Sequence, residues 1–345
     1  MTTKREKDET LRAGFFIERI LQLIPVLLGV SLVVFVMTTL TPGDPVDIML
    51  GDGRATPEQV ESMRRSMGLD LPAPQRFIRF VTNAAQGDLG RSFFHRRPVS
   101  EVIAERLPAT IELTLVAMLI AFAIGVPFGV LAAVKRNTFL DRLATIISLL
   151  GVSTPGFWLG IVLILVFAMS LGWLPVSGRV DYALEVPRIT GMLLLDSLIQ
   201  GRFASFVDAA KHIAMPAFTL GLAMAALLMR VTRAAMIDAL QQDFVVFAEA
   251  KGLKPRRVLL AHALRNALIP VVTVAALETG YLLGGNTIVE TVFGWPGLAR
   301  VIVEAVYSRD FPLVQGGVLT LAVIYVCVNF AADIVYMMLN PRVKL

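Results

Sequence analysis

Apolar residues run along this chain in six long blocks separated by polar stretches, at about 19–40, 110–134, 143–170, 213–235, 268–290 and 313–339. Each can cross a bilayer as a helix, because about 20 residues rising about 1.5 Å apiece cover roughly 30 Å of hydrocarbon. Three blocks carry helix-breaking residues: Gly125, Pro127 and Gly129; Gly151, Pro155 and Gly156; Gly280, Gly284 and Gly285. These predict bends or close helix contacts, where a neighbouring helix satisfies a freed backbone group or approaches a missing side chain. The first block is too long for a signal-peptide core and has no A-x-A cleavage pattern, so it is expected to remain as the first span.

The polar stretches are patterned too. Within 41–109, Thr56-Pro57-Glu58-Gln59 has an N-cap threonine, a proline at the first helical position and a glutamine three residues after the cap, and Gly68 supplies a stop, so a helix is expected at about 57–67. Phe77, Phe80, Val81 and Ala84 then repeat at helical spacing up to Gly87, and Val99, Val102, Ile103 and Arg106 lead towards the second span, with Pro108 marking a bend. Together they predict a small helical cap outside the membrane. A second insert, 171–212, mixes Gly178, Pro187, Gly191 and Gly201 with the apolar run Met192–Leu195 and reads as a structured loop. Its length exceeds what joins two adjacent spans, which suggests a contact outside the chain, placed here on Arg179 and Tyr182.

Composition fixes the solvent. Of 345 residues, 56% are hydrophobic and 17% charged, and the mean hydropathy is +0.70, beyond the roughly 45–50% apolar content of a soluble domain. The formal charge of +5 would suit nucleic acid in a soluble protein. In a chain embedded in lipid, however, Lys and Arg sit in loops and record topology. With the first 18 residues inside, the cytoplasmic pieces carry Lys4, Arg5, Lys7 and Arg12, then Lys135, Arg136 and Arg142, then Arg230 and Arg233 with Lys251, Lys254, Arg256, Arg257 and Arg265, and finally Arg342 and Lys344 in 340–345. Both termini are therefore expected in the cytoplasm, in a membrane protein that binds no nucleic acid. The single cysteine, Cys327, lies in the apolar run Leu319–Phe330, where it can form no intramolecular disulfide and reads as packing.

Catalytic signatures are missing. There is no G-x-x-x-x-G-K-[ST] loop to cradle a nucleotide phosphate, and His95, His212 and His262 fall in different loops rather than at metal-ligand spacing. No nucleophile elbow occurs either. An intramembrane enzyme is thereby disfavoured, and so is a self-sufficient carrier, which usually shows inverted repeats with broken helices at matching positions. Ionisable and amide groups inside the spans remain as pathway candidates, since one at mid-bilayer costs about 2.5–3.5 kcal/mol and turns towards protein or water. These are Glu278, Asn286, Glu290, Asn329 and Asp333.

The loop at 236–267 is the most informative stretch. In Asp243-Phe-Val-Val-Phe-Ala-Glu-Ala-Lys-Gly252-Leu-Lys-Pro-Arg-Arg257, the residues Phe244, Phe247, Ala248 and Lys251 fall three or four apart as a ridge, Gly252 ends one helix and Pro255 opens the next. A docking ridge and a basic element lying on anionic lipid both fit that pattern. The stretch Ala248-Glu-Ala-Lys-Gly-Leu, with His262-Ala-Leu-Arg-Asn-Ala-Leu-Ile-Pro270-Val-Val-Thr273 after it, resembles the EAA loop of ABC importer permeases, here with Val246 and Phe247 in place of the leading Glu and first Ala. Further similar stretches include Pro42-Gly-Asp-Pro45, Gly87-Asp-Leu-Gly90-x-Ser92, Arg106-x-Pro108-Ala-Thr110, Pro175-Val-Ser-Gly178-Arg179, Phe293-x-Trp-Pro-Gly297-Leu298, Arg309-Asp310-x-Pro312 and Asn340-Pro-Arg342. The chain thus resembles the dipeptide, oligopeptide and nickel permeases, most of all the B-type dipeptide subunits.

That resemblance implies an all-α membrane protein with the type I importer permease fold: six transmembrane helices and a small helical extracytoplasmic cap between the first two. It implies a permease for dipeptides or short oligopeptides, with nickel complexes or glutathione as alternative cargo. The partners implied are a second, C-type permease, two ATPase subunits and an extracytoplasmic binding protein. No cofactor would be bound by this chain, ATP and Mg²⁺ being held by the ATPases. Phe244, Phe247, Ala248, Ala250, Lys251, Gly252 and Leu253 would form the coupling helix seated on one ATPase.

Overall fold

The structure, a computed structural model, describes residues 23–40, 46, 56–285 and 287–339. The stretches 1–22 and 340–345, the Pro42–Pro45 motif and Asn286, all part of the reading above, lie outside the described residues. In chain order the helices are α1 (Leu23–Leu40), α2 (Pro57–Ser66), α3 (Ala73–Ala85), α4 (Val99–Val134), α5 (Phe139–Ser153) and α6 (Gly156–Leu163), the last continuing as a π-helical stretch over Ile164–Ser170. There follow α7 (Leu193–Ile199), α8 (Phe203–Leu240), α9 (Asp243–Ala250), α10 (Pro255–Arg257), a π-helical stretch Val258–Ala263, α11 (Leu264–Gly285), α12 (Thr287–Val292), α13 (Leu298–Tyr307) and α14 (Phe311–Leu339). Five helices are long and apolar enough to cross a membrane, and six spans result if α5 and α6 count as one bent crossing.

Several boundaries differ from the expected ones, for local reasons. α4 starts at Val99 rather than 110, with Pro108, expected to mark a bend, inside the helix, and α8 runs over Phe203–Leu240 rather than 213–235, with Pro216 inside it. α5 and α6 are bent by 100°. The cause is Pro155, which forces the preceding residue out of the α region, and Thr154 is accordingly extended at φ −81°, ψ 121°. α11 is described as far as Gly285, and Glu290 lies in the described helix α12. Cys327, expected in packing, is exposed on α14.

The chain divides into two compact units. One comprises residues up to Leu107 with Gly297–Val326. In it α2 carries the predicted capping box in full: Gln59 N–H donates to Thr56 Oγ1 at 3.3 Å and Thr56 N–H to Gln59 Oε1 at 3.0 Å. Val99, Val102 and Ile103 of α4 pack with Leu298, Val301 and Ile302 of α13 and with Leu313 and Val314 of α14. Asp310, fully buried, accepts from the Ser92 hydroxyl and from Phe94 N–H at 3.1 Å, which fixes the Gly87–Pro98 loop to the start of α14.

The other unit, Pro108–Pro296 with the last turns of α14, holds the main apolar core, in which α4 and α8 approach almost backbone to backbone. A methyl group on Gly125 would stand 2.7 Å from Ala225 O, and one on Gly221 2.7 Å from Ala117 O. No side chain fits there, so these glycines act as close helix contacts. Asp141 of α5 clasps Arg233 of α8 through Nε–Oδ1 at 2.5 Å and Nη2–Oδ2 at 2.9 Å.

Candidate functional site

The loop between α8 and α11 builds a small surface from local rules. α9 ends in a Schellman turn: Gly252 N–H bonds Glu249 O at 2.8 Å and Leu253 N–H bonds Ala248 O at 3.3 Å, with Gly252 at φ +73°. Pro255 then opens α10 at its first position, where its missing N–H is no loss. Val245, Ala248 and Val258 are buried together with Leu253 packed on them, the apolar contact that accompanies such turns.

That packing corrects one predicted ridge residue, Ala248, and one further residue of the coupling set, Leu253. Ala248, at 7% exposure, and Leu253 face inward and seat the helix, whereas Phe244, Val246, Phe247, Ala250 and Lys251 face outward, Phe247 with 68% of its surface free. A helix of eight residues has only two faces: Val245 and Ala248, three apart, take the inner one. The base of the loop is anchored by Ala263 and Ala267, which pack with Met236 and Ala239 of α8 and Ala133 of α4.

The insert between α6 and α8 is held quite differently. Arg179 ion-pairs with Glu112 of α4 at 2.5 Å, donates to Gly191 O at 3.0 Å and lies over the Trp295 ring at 5.4 Å. Glu112 also accepts Leu194 N–H at 2.6 Å, and Trp295 Nε1 donates to Ala109 O at 2.9 Å. Arg179 is thus an interior clasp with a side chain 17% exposed, and its expected contact with another protein is corrected; Tyr182, at 95%, is the free member of that pair. Asp196 of α7 accepts the N–H groups of Ile189, Thr190 and Gly191 and the Thr190 hydroxyl at 2.6 Å. Burial works to raise its pKa, but these hydrogen bonds outweigh it and hold the carboxyl below the usual range.

The pathway candidates are scattered. Glu278 is partly buried on α11, beside Leu277 and Tyr281, which are 53% and 69% exposed. Asn329 and Asp333 are partly buried on α14. Glu290 is completely buried and accepts from Thr110 at 2.8 Å, so it faces this chain's own core and not a cavity. Sequence reasoning missed the Asp141–Arg233 and Arg179–Glu112 clasps, although an ionisable residue inside each long apolar block, Arg233 and Glu112, was the available signal.

Comparison with known proteins agrees with this architecture. Residues 125–345 match the family model described as binding-protein-dependent transport system inner membrane component, and residues 12–114 match its N-terminal companion. The chain is 44% identical over 331 residues to the di/tripeptide transport system permease protein DppB of Pseudomonas aeruginosa, covering 96% of this chain and 98% of that one. It is 41% identical over 333 residues to the dipeptide transport system permease protein DppB of Escherichia coli K12, covering 96% and 98%. In fold it is similar to the inward-facing MetNI methionine ABC transporter, with a TM-score of 0.50 at 21% identity over 67% of this chain and 93% of that one. The all-helical architecture is that of a type I importer permease. The chain belongs to the family of binding-protein-dependent transport system inner membrane components, as a multi-pass, non-enzymatic permease subunit of an ABC importer.

Proposed function

We propose that this chain forms one half of the translocation pathway of an ATP-driven importer of dipeptides and short oligopeptides. The observation that carries the coupling part of the proposal is the outward face of α9, Phe244, Phe247, Ala250 and Lys251, held by the Schellman turn and by the packing of Val245 and Ala248 on Leu253 and Val258. Large exposed aromatic residues on a short fixed helix are suited to a groove on another protein, where they act as anchors. The occupant proposed is one of two ATPase subunits, which hold ATP and Mg²⁺. A second, C-type permease completes the pathway, and an extracytoplasmic binding protein delivers cargo beside Tyr182. The basic residues around α9 and α10 support a cytoplasmic position for this loop and, with it, for both termini. Closure of the ATPases moves α9, and α8 and α11 follow because they are packed to its base, reopening the pathway on the other side. Glu278 is proposed to line that pathway; the dipeptide cargo rests on the relatives' identity.

Reconstitution tests the assignment. The purified chain in proteoliposomes with ATP should transport nothing, and uptake of a labelled dipeptide should require the second permease, the ATPases and the binding protein together. Uptake by the single chain would overturn the coupled mechanism; uptake of only a non-peptide solute by the full complex would overturn the cargo.

A further inference from the structure

The first unit encloses a cavity of about 540 Å³ for which the transport mechanism has no use. Four arginines line it, Arg76, Arg79, Arg91 and Arg96, against one acid, Asp88, whose Oδ1 is already engaged by Gly90 N–H at 2.9 Å. Among the described residues none of the four forms an ion pair, although other cations do. Three of them are exposed and on their own would be ordinary solvated side chains. Arg76 is not: it is partly buried over the Phe35 ring at 5.8 Å, and burial without a counter-charge depresses its pKa. A cation held out of water with no partner is a cost that an incoming anion relieves.

The position of the cavity identifies the anion. Phe35 stands five residues before the end of α1 at Leu40, about 7.5 Å along the helix, and Gln315 stands in the second turn of α14. Both helices are membrane spans by length and hydropathy, so the cavity opens where spans meet the headgroup layer. Planar guanidinium groups bind phosphate through paired hydrogen bonds. From the level of Phe35 back into the span, Val36, Leu32 and Leu28 expose an apolar track along α1 for an acyl chain.

We propose that this cavity is a binding site for the phosphate headgroup of an anionic membrane phospholipid. The proposal rests on the membrane placement of α1 and α14 and not on the cargo or the partners proposed above. The test uses the assembled transporter, stripped of lipid in detergent and titrated with phosphatidylglycerol, phosphatidylcholine or inorganic phosphate, with retained lipid read by native mass spectrometry. Phosphatidylglycerol should be retained over phosphatidylcholine, and Arg76→Gln with Arg79→Gln should lower its affinity about tenfold or more, two charge-assisted contacts being lost. Arg65→Gln, a change of an exposed arginine outside the cavity, should leave it unaltered. If the glutamine pair does not assemble, Arg76→Lys with Arg79→Lys decides, with a partial loss expected because lysine keeps the charge and loses the fork. Unchanged phosphatidylglycerol retention in the assembled variant overturns the proposal. So does inorganic phosphate that competes at equal affinity, which would mark a free-anion site, or a loss of binding-protein capture with lipid retention unchanged, which would mark a protein contact.

Discussion

The α9 loop and the α6–α8 insert solve the same problem, fixing a non-spanning segment against the long helices, with opposite chemistry. The insert is held by charge: Arg179 between Glu112 and Trp295, and Asp196 gathering three backbone N–H groups. Its polar groups are consumed internally, and what remains outside is Tyr182. The α9 loop is held by backbone hydrogen bonds and small apolar residues, so its aromatic and charged side chains stay free for a partner. A segment that must transmit force to another protein keeps its anchors outward, and one that must keep its own shape turns them inward.

The comparison predicts its own largest failure. Removing one member of a buried ion pair strands the other charge and costs about 3–5 kcal/mol. Arg179→Ala should therefore destabilise the insert strongly, seen as a lowered thermal transition of the purified subunit and new protease cleavage within 171–212. Replacing both members, Arg179→Met with Glu112→Leu, should recover most of the loss. If the single and double variants are equally unstable, the clasp is not electrostatic and the contrast between the two regions collapses.

A smaller energetic effect is expected at Gly252, with a larger functional one. A methyl group there would touch nothing within 4 Å, so crowding plays no part in the expected defect. The penalty lies in the backbone: φ +73° costs a residue with a side chain about 1–2 kcal/mol, more for a β-branched one, and relief by another conformation re-aims α9. Gly252→Val should leave the protein in the membrane while weakening ATPase docking and abolishing dipeptide uptake. Lys254→Ala, a lost surface charge, should change stability by no more than about 0.5 kcal/mol and leave uptake near normal. Normal transport by Gly252→Val with ATPases bound would remove α9 from the coupling role; reduced membrane insertion by both would instead mark the loop as a lipid-surface element.

The regions also differ in how far they were legible beforehand. Apolar block length gave the spans, and Thr56-Pro57-Glu58-Gln59 and Gly252 gave helix ends that the backbone geometry bears out, because these signals act within a few residues. Pro155 marked a bend and produced one. Pro108 lies inside α4 without ending it, since in a long helix packed on its neighbours tertiary contacts offset one missing hydrogen bond. What sequence could not supply was partnership across distance. Nothing local says that Arg179 lies against Glu112, 67 positions away, or that Ala248 turns inward while Phe247 turns out. Its place in an apolar block made Glu290 look like a pathway residue, but its carboxyl is buried and accepts from Thr110, 180 positions away.

The mildest expected effect concerns acid. Asp196 has a folded-state pKa below its ordinary value, so it binds its proton less readily folded than unfolded, and stability rises with pH across that interval. Its contribution is fully present above the unfolded value of about 4 and is lost as pH falls through the depressed folded value. Protonation would turn an acceptor of four hydrogen bonds into a group that must also donate, among N–H groups that cannot accept. Asp196→Asn introduces the same mismatch at every pH. The thermal transition of the variant should therefore lie below that of the unmodified protein at pH 7, and the two should converge as pH is lowered to about 3. The α9 loop, which uses no carboxylate, should show no such convergence when Ala248 is enlarged: Ala248→Leu should cost the same at either pH. A gap between Asp196→Asn and the unmodified protein that persists unchanged into acid would mean the side chain's shape, and not its charge, holds the insert.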